Sequence, residues 1–370
     1  CEALNTTAIP DTNFEQALID LGYDSGAIDG QVPTANISGV KSLDVSNKDI
    51  SSLTGIEYFT ALTSLDCNNN QLESLDVSSN PALTSLNCEY NQLTSLEVSS
   101  NSALITLKCG YNQLTSINVT SNLALTLLWC HSNPLTVLDV SSNSNLGILS
   151  CYSNQLGTLN VTSNPALTML WCWGNQLTSL NLSDNMALTR LYCGNNLLES
   201  LDLSDNLDLT RLYCESNKLT SLDVSANTTL TYLNCESNQL ETLNVRNRGN
   251  ENIEYFKSTS NPNLTCIYVD DASYSTTNWT SIDPAATFVN NEAACEALSL
   301  EYSAFELNVT IHPNPTDNYL FIEGNKNPIS ISIYNLLGKE VLSIKNTNNI
   351  NVQALPSGVY VIRISDGIGQ

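Results

Sequence analysis

Nine cysteines recur at intervals of 21 residues, from Cys67 through Cys88, Cys109, Cys130, Cys151, Cys172, Cys193 and Cys214 to Cys235. Thiols can bind metal, form disulfides or serve as small apolar side chains, and spacing decides among these. A fixed period of this length marks a solenoid, in which each coil returns the chain to the same place. Cysteines in one row along a sheet cannot surround an ion tetrahedrally. Their Cβ atoms would lie near the strand spacing of about 4.8 Å, whereas a disulfide wants roughly 3.5–4.5 Å. The favoured reading is a column of buried thiols acting as small hydrophobes. Three cysteines fall outside the column: Cys1, Cys266 and Cys295.

Other reactive chemistry is sparse. The two histidines, His131 and His312, lie far apart in sequence, and no Ser/His/Asp arrangement, phosphate loop or metal-ligand spacing stands out. Asp66, Asp76, Asp139, Asp202 and Asp223 sit beside outward serines on regular rungs. Paired carboxylates could cleave glycosides on such a scaffold, but the expectation is a protein with no catalytic residue, metal or cofactor. The aromatic residues carry more information. Trp129, His131, Tyr152, Trp171, Trp173, Arg190, Tyr192, Arg211, Tyr213 and Tyr232 all occupy outward positions of one strand column, and three of the four tryptophans are among them. Leu127, Ile148 and Met169 join them there. Two readings stand: a ligand-binding face, since contiguous exposed aromatics mark contact surfaces, or cross-rung stacking that stiffens the sheet.

The elements that position this face follow from one unit, residues 62–82 (LTSLDCNNNQLESLDVSSNPA). The pattern L-x-x-L-x-[CV]-x-x-N occurs twice in it, at Leu62, Leu65, Cys67, Asn70 and at Leu72, Leu75, Val77, Asn80. Each copy predicts a short strand and a turn. Residues two apart share a strand face, so Leu65 with Cys67 and Leu75 with Val77 line opposite walls of a narrow core. Each coil is thus expected to give two strands to two parallel sheets. The asparagines fall at the turns, where their amides can bond the backbone. Outward positions of the second strand are monotonous (Ser74, Asp76, Ser78; Ser200, Asp202, Ser204) and read as solvated scaffold.

Solenoid ends expose core and need caps. Thr12 and Glu15 have the spacing of a capping box after Pro10. Phe14, Ala17, Leu18 and Leu21 then form one apolar helix face. At the other end, Cys266 and Cys295 bracket an irregular stretch containing Trp279, and a disulfide between them would pin the cap, at about 3 kcal/mol.

These repeats resemble the bacterial leucine-rich repeat family of the internalin type, with nested ten- and eleven-residue half-repeats and Cys in place of the usual Leu or Ile in one core column. The match runs over residues 40–269. Residues 40–61 resemble a longer first coil, with Lys48 in the Asn slot. Ile253, Phe256, Asn261, Leu264, Ile267 and Val269 look like a degenerate last one. Near the C-terminus, residues 313–324 (PNPTDNYLFIEG), 334–341 (YNLLGKEV) and 355–364 (LPSGVYVIRI) resemble the type A sorting domain of type IX secretion. That resemblance implies a small β-sandwich, with strands at 319–323, 329–334, 341–344 and 359–364 and a basic final strand expected beyond Gln370. It also implies export from a Gram-negative cell, with the secretion machinery as a partner.

The expected architecture is a β-rich solenoid. It comprises an N-terminal helical cap at 1–39, a leucine-rich repeat domain with a disulfide-pinned end at 40–295, a linker at 296–310 and a sorting domain at 311–370. With 37 Asp+Glu against 13 Lys+Arg, the formal net charge is −24, which disfavours nucleic acid and anionic lipid as partners. No run of 18 apolar residues is present, so no membrane-spanning helix is expected. The function expected is that of a secreted or surface-attached recognition or adhesion protein. It would bind a protein on a host or neighbouring cell through the aromatic face. A glycan ligand, or a spacer role without a ligand, are the alternatives.

Overall fold

The computed structural model describes residues 5–296, 310–312, 318–323, 330–345, 347 and 349–365, which fall into two compact units, Cys1–Cys295 and Glu296–Gln370. Cys1, most of the segment read as a linker and the motif residues 313–317 lie outside the described residues.

In the first unit, eleven three-residue strands form one parallel sheet running from Ser42–Asp44 to Tyr255–Lys257. The 21-residue period is its register: Leu65 lies beside Leu86, and Leu86 beside Leu107. The ladder continues past each strand, where Cys67 N–H donates to Asn87 O at 2.8 Å and Asn69 N–H to Glu89 O at 2.9 Å. Leu65, Cys67, Leu72 and Val77 and their equivalents in later coils fill one continuous core. Each fully buried leucine contributes about 1.5–3 kcal/mol.

The cysteines of the ladder are all unbonded and buried. Burial pushes their thiols up, Cys151 and Cys235 to about 12, so they remain protonated at neutral pH. Cys67, Cys88, Cys214 and Cys235 aim Sγ at a backbone carbonyl of the next coil, at 3.4–3.5 Å.

The second wall differs from the expectation of a continuous sheet. Leu75 and Val77 do point inward. The early coils, however, make only isolated bridges, Asp76 to Glu97 and Glu97 to Asn118. Here the chain turns at once: Asn80 N–H donates to Val77 O at 3.0 Å and Leu83 N–H to Asn80 O at 3.1 Å. The same two turns follow Ser221–Asp223, where Asn227 N–H donates to Val224 O at 3.0 Å and Leu230 N–H to Asn227 O at 3.1 Å, yet that strand pairs with Thr242–Val245. A second parallel sheet forms only near the end, from Ser221–Asp223, Thr242–Val245, Cys266–Val269 and Thr287–Val289.

Each end has its own lid. The helix Thr12–Asp20 buries Phe14, Ala17 and Leu18, but Leu21 is its C-cap and is exposed. The expected capping box is off by one residue. Asp11 is the N-cap, its Oδ1 accepting from Asn13 and Phe14 N–H at 3.0 Å, while its Oδ2 accepts from Ser51 and Ser52 N–H and so ties the helix to the first coil. Glu15 turns away to take the N–H groups of Asp29 and Gly30. At the far end Trp279 stacks on Phe256, ring centroids 4.4 Å apart. Cys266 and Cys295 are disulfide-bonded with Cα atoms 5.9 Å apart.

The described residues of the second unit form two three-stranded antiparallel sheets. One pairs Tyr319–Glu323 with Thr310–His312 and Asn349–Asn351; the other places Ser330–Asn335 between Glu340–Lys345 and Tyr360–Ser365. Leu320, Ile322, Ile331, Ile333 and Ile350 form its core. The strands read from sequence match these within a residue or two.

Two outcomes follow. Cys151→Val should cost under about 1.5 kcal/mol, whereas Cys151→Asp, which puts an unpaired charge in the core, should cost about 3 kcal/mol or more. Denaturant unfolding of both variants measures this, and equal costs would remove the buried-hydrophobe account. Reduction of Cys266–Cys295 should raise amide hydrogen exchange around Ile267 and Trp279 and leave coils 62–200 protected, because solenoid stability is mostly nearest-neighbour. Uniform deprotection would contradict this.

Candidate functional site

The outer face of the eleven-stranded sheet carries three lines of side chains, set by the in-register pairing. One line contains Leu127, Ile148, Met169, Arg190, Arg211 and Tyr232; the next contains Lys108, Trp129, Ser150, Trp171, Tyr192 and Tyr213. The third follows the cysteines: Glu89, Gly110, His131, Tyr152, Trp173, Gly194, Glu215 and Glu236. Strand neighbours are about 4.8 Å apart, so aromatic residues on successive coils meet. Tyr152 stacks on Trp173 at 4.8 Å with ring planes 7° apart, and Tyr192 on Tyr213 at 4.9 Å and 12°. Trp171 lies between Trp129 and Tyr192 at tilted and edge-on angles. These contacts contribute about 0.5–1.5 kcal/mol each beyond area burial.

The face is therefore more rigid and less exposed than its sequence suggested. Trp129, Tyr152, Trp171, Tyr192, Tyr213 and Tyr232 are half-buried, Trp173 is 38% exposed, and Arg190 is exposed. Arg211 lies over the Tyr232 ring at 4.3 Å and Lys108 over Trp129 at 4.2 Å. Burial raises the Tyr213 phenol.

His131 departs from the rest. It was expected on the accessible face but is buried, stacked at 4.3 Å on Tyr152 and edge-on to Tyr111. Its Nδ1 is 3.2 Å from Ser150 Oγ, and its Nε2 is 3.4 Å from Glu89 Oε1. A neutral ring with its proton on Nε2 satisfies both neighbours. Burial lowers its pKa to about 4 and raises that of Glu89, so the contact is not a charged pair at neutral pH. Ser150, His131 and Glu89 thus form a hydroxyl–imidazole–carboxylate chain that the sequence did not reveal. Ser150 is fully buried, so the hydroxyl has no path to a substrate and the chain is a packing device.

Sequence reasoning also missed Tyr90 and Tyr111. They stack at 4.2 Å and extend the aromatic strip by two coils, both with left-handed φ, 53° and 51°. The same turn position holds Asn69, Ser132, Ser153, Gly174 and Asn195 in other coils, so a tyrosine there was a visible anomaly. Among the described residues no helix is long and apolar enough to cross a membrane.

This is the architecture of a repeat module built on one long parallel sheet. Residues 310–370 match the family of secretion system C-terminal sorting domains. The functional domain of InlJ from Listeria monocytogenes, a structure that includes a cysteine ladder, is similar over 78% of this chain and 71% of its own. Sequence identity is 30% and the TM-score 0.60. The same fold occurs in a leucine-rich repeat protein of Leptospira interrogans (20% identity, 69% and 73% coverage, TM-score 0.50) and in a TDR receptor (20%, 64% and 52%, 0.52). No curated protein sequence matches significantly. The chain belongs to the internalin-type leucine-rich repeat family and carries a type IX sorting domain, which directs export to the cell surface or beyond.

His131 gives a pH test. Below the ordinary value of 6.5 the unfolded chain takes up a proton there, while the native ring stays neutral to about 4. Wild-type stability should therefore fall across that window. Relative to His131→Gln, wild type should lose on the order of 2–3 kcal/mol between pH 7 and pH 4. A difference that does not change with pH would mean that the ring titrates as it does in water.

Proposed function

We propose that this is a non-enzymatic recognition or adhesion protein that binds a protein on a host or neighbouring cell through the aromatic face. The observation that carries the reading is how the rings are spent. Tyr90 on Tyr111, His131 on Tyr152, Tyr152 on Trp173 and Tyr192 on Tyr213 all stack within 13° of parallel. Their planes stand across the solenoid axis and turn edges, not faces, to solvent. A sugar ring stacks on an open aromatic face, and these stacks offer few. Rigid ring edges mixed with Leu127, Ile148, Met169, Arg190 and Arg211 have the composition of protein hot spots. Their order is already fixed in the free protein, which lowers the entropy cost of association. Export to the cell surface or beyond gives the face access to such a partner.

Trp171, at the middle of the strip, is the residue to remove. Trp171→Ala should weaken capture of a surface-protein partner by about 2 kcal/mol, roughly 30-fold, with the circular dichroism spectrum unchanged. Asp202→Ala on the second wall should bind as wild type does. Surface-protein extracts and a glycan array, each probed with all three proteins, decide the matter. Trp171-dependent binding confined to the array would replace the protein by a glycan, and binding indifferent to Trp171 would move recognition off this face.

A further inference from the structure

Several of the few cations on the solenoid are neutralised in place. Lys48 pairs with Asp20 at 3.3 Å, Arg246 with Glu292 at 3.0 Å and Lys257 with Glu236 at 2.6 Å. Two cations on the candidate face are not. Arg190 and Arg211 are register partners on adjacent parallel strands, so their side chains leave the same face of the sheet about 4.8 Å apart. Among the described residues neither guanidinium has an ion pair or a hydrogen-bond acceptor. Arg211 is half-buried and held over the Tyr232 ring, whereas Arg190 is exposed. Glu254, two rungs beyond Arg211, takes the Tyr232 hydroxyl instead. Like charges side by side in a sheet are destabilising. With 37 Asp+Glu against 13 Lys+Arg in the chain, a neutralising neighbour was within easy reach of sequence change. A local rule broken without a compensating contact marks a place where function is to be sought.

We propose that Arg190 and Arg211 together receive one carboxylate side chain, glutamate or aspartate, of the protein partner. The inference rests on the protein-binding reading and gives it a chemistry. Two guanidinium groups side by side can each donate to one oxygen of the same carboxylate. The repulsion between them, present in the free protein, is relieved when the anion arrives. Arg211, already packed on Tyr232, loses little freedom on binding, and the exposed Arg190 is free to close from the other side. Met169 precedes Arg190 in the same line and offers an apolar contact to the residues that flank the acid. The formal charge of −24 narrows the occupant. A polyanion is repelled by the surrounding surface, whereas a single acid in an otherwise neutral or basic segment is not.

The test uses the whole protein labelled with 15N-arginine, the five Nε signals being assigned by single Arg→Lys substitutions. The probes are acetyl-Leu-Glu-Leu-amide, its glutamine twin, sodium acetate and a heparin oligosaccharide. The glutamate peptide should shift the Arg190 and Arg211 signals together and saturably, and the glutamine twin should shift neither. Arg190→Gln should raise the Kd read at Arg211 at least tenfold. Its thermal midpoint should be no lower than that of wild type, because the substitution removes a repulsion. No saturable shift, a shift shared by the glutamine twin, or a lowered midpoint in Arg190→Gln would overturn the site. So would acetate binding as tightly as the peptide, which would make it a bare-anion site, or heparin binding more tightly, which would make it a polyanion site. A failed titration leaves the partner-binding face to be judged by Trp171→Ala, and binding indifferent to Trp171 leaves the titration to stand on its own.

Discussion

One side-chain amide holds each coil shut, and the remaining structure depends on it. Asn91 Oδ1 accepts the Leu72 N–H of the preceding coil at 3.0 Å, and its Nδ2 donates to Cys67 O and Cys88 O at 3.1 and 3.2 Å. The same set recurs from Asn70 to Asn261. Each amide satisfies backbone groups in two successive coils that the narrow core would otherwise leave unpaired. The second asparagine column is less complete. Asn101 Nδ2 donates to Val77 O and Asn80 O, but Oδ1 has no partner, and this repeats in eight coils. One wall is closed by fully used amides and the other by half-used ones, in keeping with the sheet forming along the first.

A parallel in-register sheet then dictates what its outer face can be. Like positions are forced within about 5 Å of each other, so aromatic residues in one line must stack and carboxylates in one line must repel unless something intervenes. Both solutions are visible. Glu236 has Lys257 and Thr259. Glu89 has the room over Gly110 that brings it to His131. Glu215 leans into the space over Gly194. The glycines therefore act as rungs of missing volume that the side chains of neighbouring rungs fill.

The fold was legible because it is written nine times. Periodicity placed Leu65, Cys67 and Asn70 on their correct sides, and the chain's two late cysteines were found paired. The departures came where a single copy had to be judged. Thr12 and Glu15 have capping-box spacing, yet Asp11 caps the helix, because its carboxylate can serve the helix and the Ser51–Ser52 backbone together. The second wall was expected to pair fully, since its Leu-x-Val pattern is as regular as the first. Pattern fixes which way a side chain points but not whether neighbouring strands pair. On the candidate face, sequence placed the aromatic residues on one surface but not their ring orientations. Those depend on neighbours about one coil away in sequence, as with His131 packed against Tyr111 and Tyr152.

Export and the cysteine ladder constrain each other. A protein routed out of the cell passes through a compartment where disulfides form and persist, and nine unpaired thiols would ordinarily be a liability there. In this fold the liability is removed by geometry. Neighbouring thiols project the same way from strands about 4.8 Å apart, and raised pKa values keep them from the thiolate form that exchange requires. The buried position between leucine and asparagine suits a small side chain that can also point a weak donor at a carbonyl, as Cys67 Sγ does toward Asn87 O. The one bonded pair among the described residues, Cys266 with Cys295, lies at the C-terminal end of the array, beyond the cysteine ladder. An oxidising environment thus acts on the C-terminal cap, which nearest-neighbour packing covers from one side only, and finds nothing to react with along the array.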